Sequence, residues 1–253
     1  MDLTNNTILI TGGGSGIGRG LAEAFHALGN QVIIAGRRQK NLEEVTEANP
    51  GMQYRVLDQD DAADITRFAA ELVRDFPQLN VLLNNAGIQR MEDLTRGEVS
   101  DTEATITTNL LGPIRLTSAL MSHLVAQPRA TIINITSTLA CVPAAPIPTY
   151  CATKAAMHSY TQSLRLQLRK NGVQVIEIMP PWVQTELQGD RGMNPKAMPL
   201  ADYITETIGF LKNPDVTEII SERGKVMRFA ERNGIYDEFF EKFNEGWLAL
   251  QAK

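Results

Sequence analysis

Histidine is scarce in this chain of 253 residues: three in all, His26, His123 and His158, scattered along its length. A zinc centre or a Ser-His-Asp triad therefore finds no support. There are two cysteines, Cys141 and Cys151. They form neither a metal spacing nor a disulfide framework and read as small, reduced packing residues, with no metal site expected. No apolar run approaches the ~20 residues that a membrane helix needs. The start, Met1 to Thr11, has an acidic second residue and too short an apolar stretch for a signal peptide. Long Lys/Arg runs are missing too, and the net charge of -5 argues against nucleic acid as the main partner. What is present, 43% hydrophobic and 21% charged residues, suffices for one large core. These features lead us to expect a soluble, cytoplasmic protein of one domain, 1–253.

The first forty residues are the most patterned. Thr7-Ile8-Leu9-Ile10 reads as a short strand running into Thr11-Gly12-Gly13-Gly14-Ser15-Gly16-Ile17-Gly18. Ile17, Leu21, Ala24, Phe25 and Leu28 then recur at helical spacing up to Gly29-Asn30, and Val32 to Ala35 is a second buried strand. Strand, glycine-rich turn, helix, strand is a βαβ unit whose turn can hold a pyrophosphate at the helix amino terminus. A dinucleotide site that prefers NAD puts an acid at the end of the second strand, to bond the ribose 2′-hydroxyl. This chain has Gly36-Arg37-Arg38 instead. Guanidinium groups suit a 2′-phosphate, so the expected cofactor is NADP(H), with NAD(H) the poorer fit.

Further strands are expected at Tyr54–Leu57, Val81–Leu83, Thr131–Ile135, Val173–Ile178 and Thr217–Ile220, with helices between them. The pattern gives an α/β fold, a Rossmann-type doubly wound parallel sheet of about seven strands. A helix from Ser100, in capping-box spacing with Glu103, runs toward Ala126 and should kink at Pro113. Proline offers no N–H to the carbonyl four residues before it, which is that of Asn109, and leaves it open to water. Residues 184–200 form an irregular stretch, read as a substrate loop or lid. Trp182, Leu187, Met193 and Met198 suggest an apolar pocket there. The tail, about 234–250, sets Ile235, Phe239, Phe240, Phe243 and Trp247 on one helix face, to pack on its own domain or on a second subunit.

Tyr150 and Lys154 are four apart at the start of a helical pattern and so share a face. An ammonium near a phenol favours the phenolate and lowers its pKa, which would suit proton transfer. Ser137, just past the fifth strand, faces the crevice where parallel sheets bind ligands.

Together these landmarks resemble the short-chain dehydrogenase/reductase family in its compact form, over nearly the whole chain. Thr11-Gly12-x-x-x-Gly16-x-Gly18 fits the cofactor turn, Asp58 the adenine-contacting acid, and Asn84-Asn85-Ala86-Gly87 the motif after the fourth strand. Asn109, Ser137, Tyr150 and Lys154 fall where the catalytic tetrad falls. The resemblance implies that Tyr150 transfers the proton, Lys154 tunes it and holds the nicotinamide ribose, Ser137 bonds the substrate oxygen, and Asn109 holds a relay water. It implies cofactor contacts from Gly12, Ser15, Gly16, Ile17, Gly18, Arg37, Arg38, Asp58, Gln59, Asn85, Ala86, Val183 and Thr185, besides Tyr150 and Lys154. The expected chemistry interconverts a ketone or aldehyde and an alcohol, on a largely apolar small molecule, in a homodimer or homotetramer. Pro180-Pro181 departs from the family's Pro-Gly, which puts the Val183 and Thr185 contacts in question. Thr217 through Arg223, Phe229 and Met198-Pro199-Leu200 look like a bacterial subgroup named for lipoteichoic acid D-alanylation. The rival expectation is a catalytically silent, cofactor-binding regulator of the same fold. A sugar-nucleotide epimerase would need a further substrate domain, for which the chain has no room.

Overall fold

The computed structural model describes residues 1–251, so the last two positions of the expected domain 1–253 lie outside the described residues. Seven strands form one sheet: β1 (Thr7–Thr11), β2 (Gln31–Gly36), β3 (Gln53–Val56), β4 (Leu79–Asn84), β5 (Ala130–Ile135), β6 (Val173–Met179) and β7 (Glu218–Ile220). All neighbours pair in parallel, in the order β3-β2-β1-β4-β5-β6-β7. The order reverses between β1 and β4, and the crevice beyond their carboxyl ends is where such sheets bind ligands.

The helices are α1 (Gly16–Ala27), α2 (Gln39–Ala48), α3 (Ala62–Asp75), α4 (Ser100–Ile106), α5 (Gly112–Ala126), α6 (Pro148–Leu168), α7 (Leu200–Leu211), α8 (Lys225–Arg228) and α9 (Tyr236–Gln251). Strand residues alternate between two cores, as a doubly wound sheet requires. Ile8 and Ile10 join Leu21 and Phe25 of α1 and Tyr203 of α7 on one face. Leu9 joins Phe68, Leu72, Leu116, Leu120 and Leu164 on the other. Burying one such side chain stabilises the fold by roughly 1.5–3 kcal/mol.

Two local expectations are corrected. Ser100 does not cap a helix: Val99 occupies the cap position with no side-chain bond, because Ser100 already lies within the first turn. Nor does the chain simply kink at Pro113. One π-wound turn, Thr107–Leu111, joins α4 to α5, and the Gly112 N–H bonds the Thr107 carbonyl five residues back. The wider turn absorbs the donor that proline lacks, and Pro113 then sits in the first turn of α5, where a missing N–H costs little. Residues 184–200 form an irregular stretch tied at its base. Short 3₁₀ turns cover Glu186–Met193, and Gln184 N and Met198 N donate to Met198 O and Trp182 O at 2.9 and 2.8 Å.

Candidate active site

The glycine turn is fastened to the end of β4. Thr11 Oγ1 accepts from the backbone N–H of both Asn85 and Ala86 at 3.1 Å, and Asn85 Nδ2 donates to the Thr11 carbonyl at 2.9 Å. Gly12 has φ +67°, and a Cβ there would lie 2.8 Å from the Ala86 Cα. A Cβ on Gly18 would lie 2.3 Å from the Gly12 carbonyl oxygen, so Gly18 lets α1 close on the turn. Asn84 ties β4 to β5 instead, donating to Asn134 Oδ1 at 2.9 Å.

Ser15 caps α1 without a side-chain bond to the helix, and no acid occupies the first turn. Its hydroxyl accepts from Arg38 Nη2 at 2.9 Å. The first N–H groups of α1 and the Arg38 guanidinium thus converge on a place suited to an anion. Arg37 is half exposed and already ion-paired, its Nη1 lying 3.1 Å from Asp60 Oδ2. Asp60 also accepts from Thr108 Oγ1 at 2.7 Å, while Gln59 Nε2 donates to the Thr108 carbonyl at 2.7 Å. Asp58 accepts from the Asp60 N–H at 3.2 Å.

At the other end, Tyr150 and Lys154 are both buried on α6. Lys154 Nζ donates to the Ile135 carbonyl at 2.9 Å and stands 5.5 Å from the centre of the Tyr150 ring. Burial pushes the Lys154 pKa down to about 8. The expected lowering of the Tyr150 pKa is reversed here: burial raises it above the ordinary phenol value, and a hydrogen bond with Ser137 offsets this only in part. The sequence argument counted the neighbouring ammonium and not the cost of an anion in an apolar wall. Asn109 uses its side chain on the backbone of Ile88, with Oδ1 accepting and Nδ2 donating at 2.8 Å. Its side chain is thereby committed to the loop after β4.

One cavity of about 760 Å³ connects the two ends. From the glycine turn, Gly12, Ser15, Gly16 and Ile17 line it, with Arg37, Arg38 and Gln59 beside them. Of the expected set, Asn85, Ala86, Ser137, Tyr150, Lys154, Val183 and Thr185 line it as well. Thus Pro181 does not remove Val183 or Thr185 from the wall, and no peptide bond among the described residues is cis. Gly18, Asp58 and Asn109 are not among the lining residues; Gly18 abuts Gly12 and Asn109 holds Ile88, both of which are, while Asp58 bonds Asp60. Trp182 and Leu187 face the cavity as expected. Met193 does not, being 64% exposed, and Met198 belongs to the core beneath β6.

Other lining residues carried no sequence signal for a site: Asn41, Leu57, Leu139 and Met227. The tail helix packs on its own domain, with the Trp247 ring 5.9 Å from that of Trp182, and Phe243 and Trp247 line the cavity. Among the described residues, one group brings metal-type ligands together, His158, Glu177 and Glu218. His158 Nδ1 lies 2.8 Å from Glu177 Oε2, Thr136 Oγ1 donates to Glu177 at 2.6 Å, and Arg228 holds Glu218 at 3.1 Å. Spacing along the chain gave no hint of this network, since its members come from α6, β6 and β7.

Comparison with known proteins agrees with this layout. Residues 6–196 match the profile of the short chain dehydrogenase family. "Uncharacterized oxidoreductase DltE" of Bacillus subtilis is 39% identical over 250 residues, spanning 96% of this chain and 98% of that protein. This relative matches the subgroup that the carboxyl-terminal half resembles. A short chain dehydrogenase from Burkholderia cenocepacia J2315, solved with NADP, superposes with a TM-score of 0.81 at 23% identity, over 94% of this chain and 98% of that one. A serine dehydrogenase solved in its closed form with NADP+ gives a TM-score of 0.76 at 30% identity, over 85% and 94%. The parallel seven-stranded sheet, the glycine turn at its switch point and the matched residues 6–196 place this chain among the oxidoreductases of the short chain dehydrogenase family.

Proposed function

We propose that this protein is an NADP(H)-dependent oxidoreductase that interconverts a ketone or aldehyde and an alcohol, in the cytoplasm. The observation that carries the reading is one cavity with Tyr150, Ser137 and Lys154 at one end and the glycine turn with Arg37 and Arg38 at the other. The residues fit a nicotinamide dinucleotide phosphate. The uncapped start of α1 suits a pyrophosphate, Gly36 leaves no acid to repel a 2′-phosphate, and two guanidinium groups stand beside it. The NADP+ complex of the serine dehydrogenase, 30% identical to this chain, adds support.

When bound, the dinucleotide supplies or accepts the hydride. The chain's own residues position the substrate and move the proton. Tyr150, kept protonated by burial, gives its proton to the substrate oxygen in reduction and recovers it in oxidation. Ser137 shares hydrogen bonds with that hydroxyl and the incoming oxygen. Lys154, charged below about pH 8, holds the ribose and steadies the phenolate as it forms. Asn109 lends its backbone carbonyl to a water behind Lys154, while its side chain fixes Ile88.

The test is NADPH oxidation across a panel of ketones and aldehydes, for wild type and for Tyr150→Phe. Tyr150→Phe should lose turnover by at least about 10²-fold, the scale of one positioned acid, while NADPH binding stays nearly intact. Turnover near wild-type rate in that variant would refute the mechanism. A wild type that binds NADPH tightly and reduces nothing would favour the silent regulator.

A further inference from the structure

We propose that Glu92, on the loop after β4, is a positioning residue for Tyr150: its carboxylate caps α6 from outside and fixes the first turn, where the phenol stands. This rests on the reductase reading above and assigns a further residue to its proton transfer.

α6 begins without a cap of its own. Ile147 at the cap position makes no side-chain bond to the helix, Pro148 follows it, and no acid lies in the first turn. The first N–H groups of a helix lack partners within it, and that end carries the positive pole of the dipole. Glu92 meets both needs. One carboxylate oxygen accepts from the Thr149 N–H at 3.1 Å. The other accepts from the Thr149 hydroxyl at 2.7 Å and from the Thr102 hydroxyl of α4 at 2.8 Å. Tyr150 is the next residue along.

The place of this contact gives it a chemical consequence. Deeper in α6, Met157, Thr161, Leu164 and Leu168 are buried, and packing of that kind keeps a long helix formed without its cap. The loop before α6 has a separate anchor in Asn244 of α9, which accepts from the Ala145 N–H at 2.6 Å and donates to the Pro143 carbonyl at 3.1 Å. The Glu92 N–H donates to the Pro146 carbonyl at 3.0 Å, a backbone bond that a side-chain substitution leaves in place. Loss of the carboxylate therefore loosens the first turn and little else. That turn holds Tyr150, whereas Lys154 lies one turn further in, with its own bond to the Ile135 carbonyl. Proton transfer suffers and cofactor binding does not.

Glu92→Ala removes the contact, and Glu92→Gln keeps an acceptor without the charge. On a ketone that the wild type reduces with NADPH, Glu92→Ala should lower kcat by about tenfold, because slight misplacement of a reacting group is costly. KM and the NADPH dissociation constant should change by less than about threefold, the mark of an interaction that serves the transition state. Glu92→Gln should fall in between. The solvent deuterium isotope effect on kcat should grow in the same order, as the proton step becomes limiting. Asp93→Ala is the control: it removes the neighbouring carboxylate, whose bonds stay within its own turn, Leu94–Arg96, and kcat should hold. An unchanged kcat in Glu92→Ala, a matching loss of NADPH binding, or an equal fall in Asp93→Ala overturns the proposal. If Glu92→Ala fails to fold by its thermal melt, Glu92→Gln decides alone, through kcat and the isotope effect. If the wild type reduces no ketone, the reductase reading fails, and the NMR signal of the Tyr150 ζ-carbon, identified by its loss in Tyr150→Phe, tests Glu92 separately. It should move in Glu92→Ala and stay in Asp93→Ala; a signal that moves in neither, or in both, sinks the positioning role.

Discussion

Lys154→Met offers a measure of the site that needs no substrate. Lys154 is buried, and its pKa falls from 10.5 in the unfolded chain to about 8 in the folded one, because burial disfavours the ammonium. Between those two values the unfolded chain holds a proton that the folded chain has released. Stability therefore rises with pH across that window and is lost again as pH falls through about 8. The gap between 10.5 and about 8, at about 1.4 kcal/mol per pH unit, amounts to about 3 kcal/mol. The Lys154–Ile135 hydrogen bond is part of the same balance, so this figure is an upper scale. Other groups pull the opposite way. Burial pushes the Cys151 thiol up to about 11, and it raises the Tyr150 phenol too, so their contributions decline at high pH. Subtracting the Lys154→Met curve from the wild-type curve cancels these and isolates the lysine. Urea unfolding of the cofactor-free proteins, read by circular dichroism from about pH 7 to pH 10.5, should show the difference moving toward wild type by up to about 3 kcal/mol. A difference that stays flat over the whole range would refute the claim that Lys154 is buried as a costly cation.

Three further outcomes follow from the same geometry. Arg37→Ala should weaken NADPH about tenfold and leave NADH nearly unchanged, one charge-assisted contact being worth ~1.5 kcal/mol once competition from Asp60 is counted; titration by NAD(P)H fluorescence decides it, and equal losses for both cofactors would be fatal. Gly18→Ala should destabilise the protein by roughly 1–3 kcal/mol and weaken cofactor binding, because its Cβ would enter the Gly12 carbonyl; a melting temperature equal to wild type would show that the turn yields freely. Light scattering at micromolar concentration should report at least a homodimer, through the faces of α4, α5 and α6, and a strictly monomeric mass would end that expectation.

Most of the sheet was legible because its strands are short β-branched runs closed by glycine, proline or asparagine, which local chemistry reads without tertiary help. Thr7–Ile10 and Thr131–Ile135 each lie within one residue of the strands observed. The glycine turn was legible for the same reason, since its φ +67° at Gly12 and the close approach at Gly18 leave no other residue type. Two site features were not. The Tyr150 environment depends on what surrounds a phenol from every side, and a spacing of four names only one neighbour. Burial then outweighed the ammonium. The partition between lining and support was also hidden: Asp58, Gly18 and Asn109 are motif residues, yet each acts on backbone or on a neighbouring side chain.

The substrate end shows why pattern reading stops where it does. An aromatic stripe on α9 announces that something apolar must cover it, and nothing in its periodicity says what. The answer came from one polar residue, Asn244, whose bonds to Pro143 and Ala145 join positions about a hundred residues apart. Such a contact is invisible to any local rule, and it converts a surface helix into a wall of the cavity beside Tyr150. The glycine turn and Tyr150 sit at the carboxyl ends of the strands, where the sheet itself places them. The opposite wall of the cavity is assembled from the loop after β6 and the tail helix. The tail thus reaches the buried cluster that holds Tyr150, with Phe243 and Trp247 packed against it, although the two lie far apart in the chain.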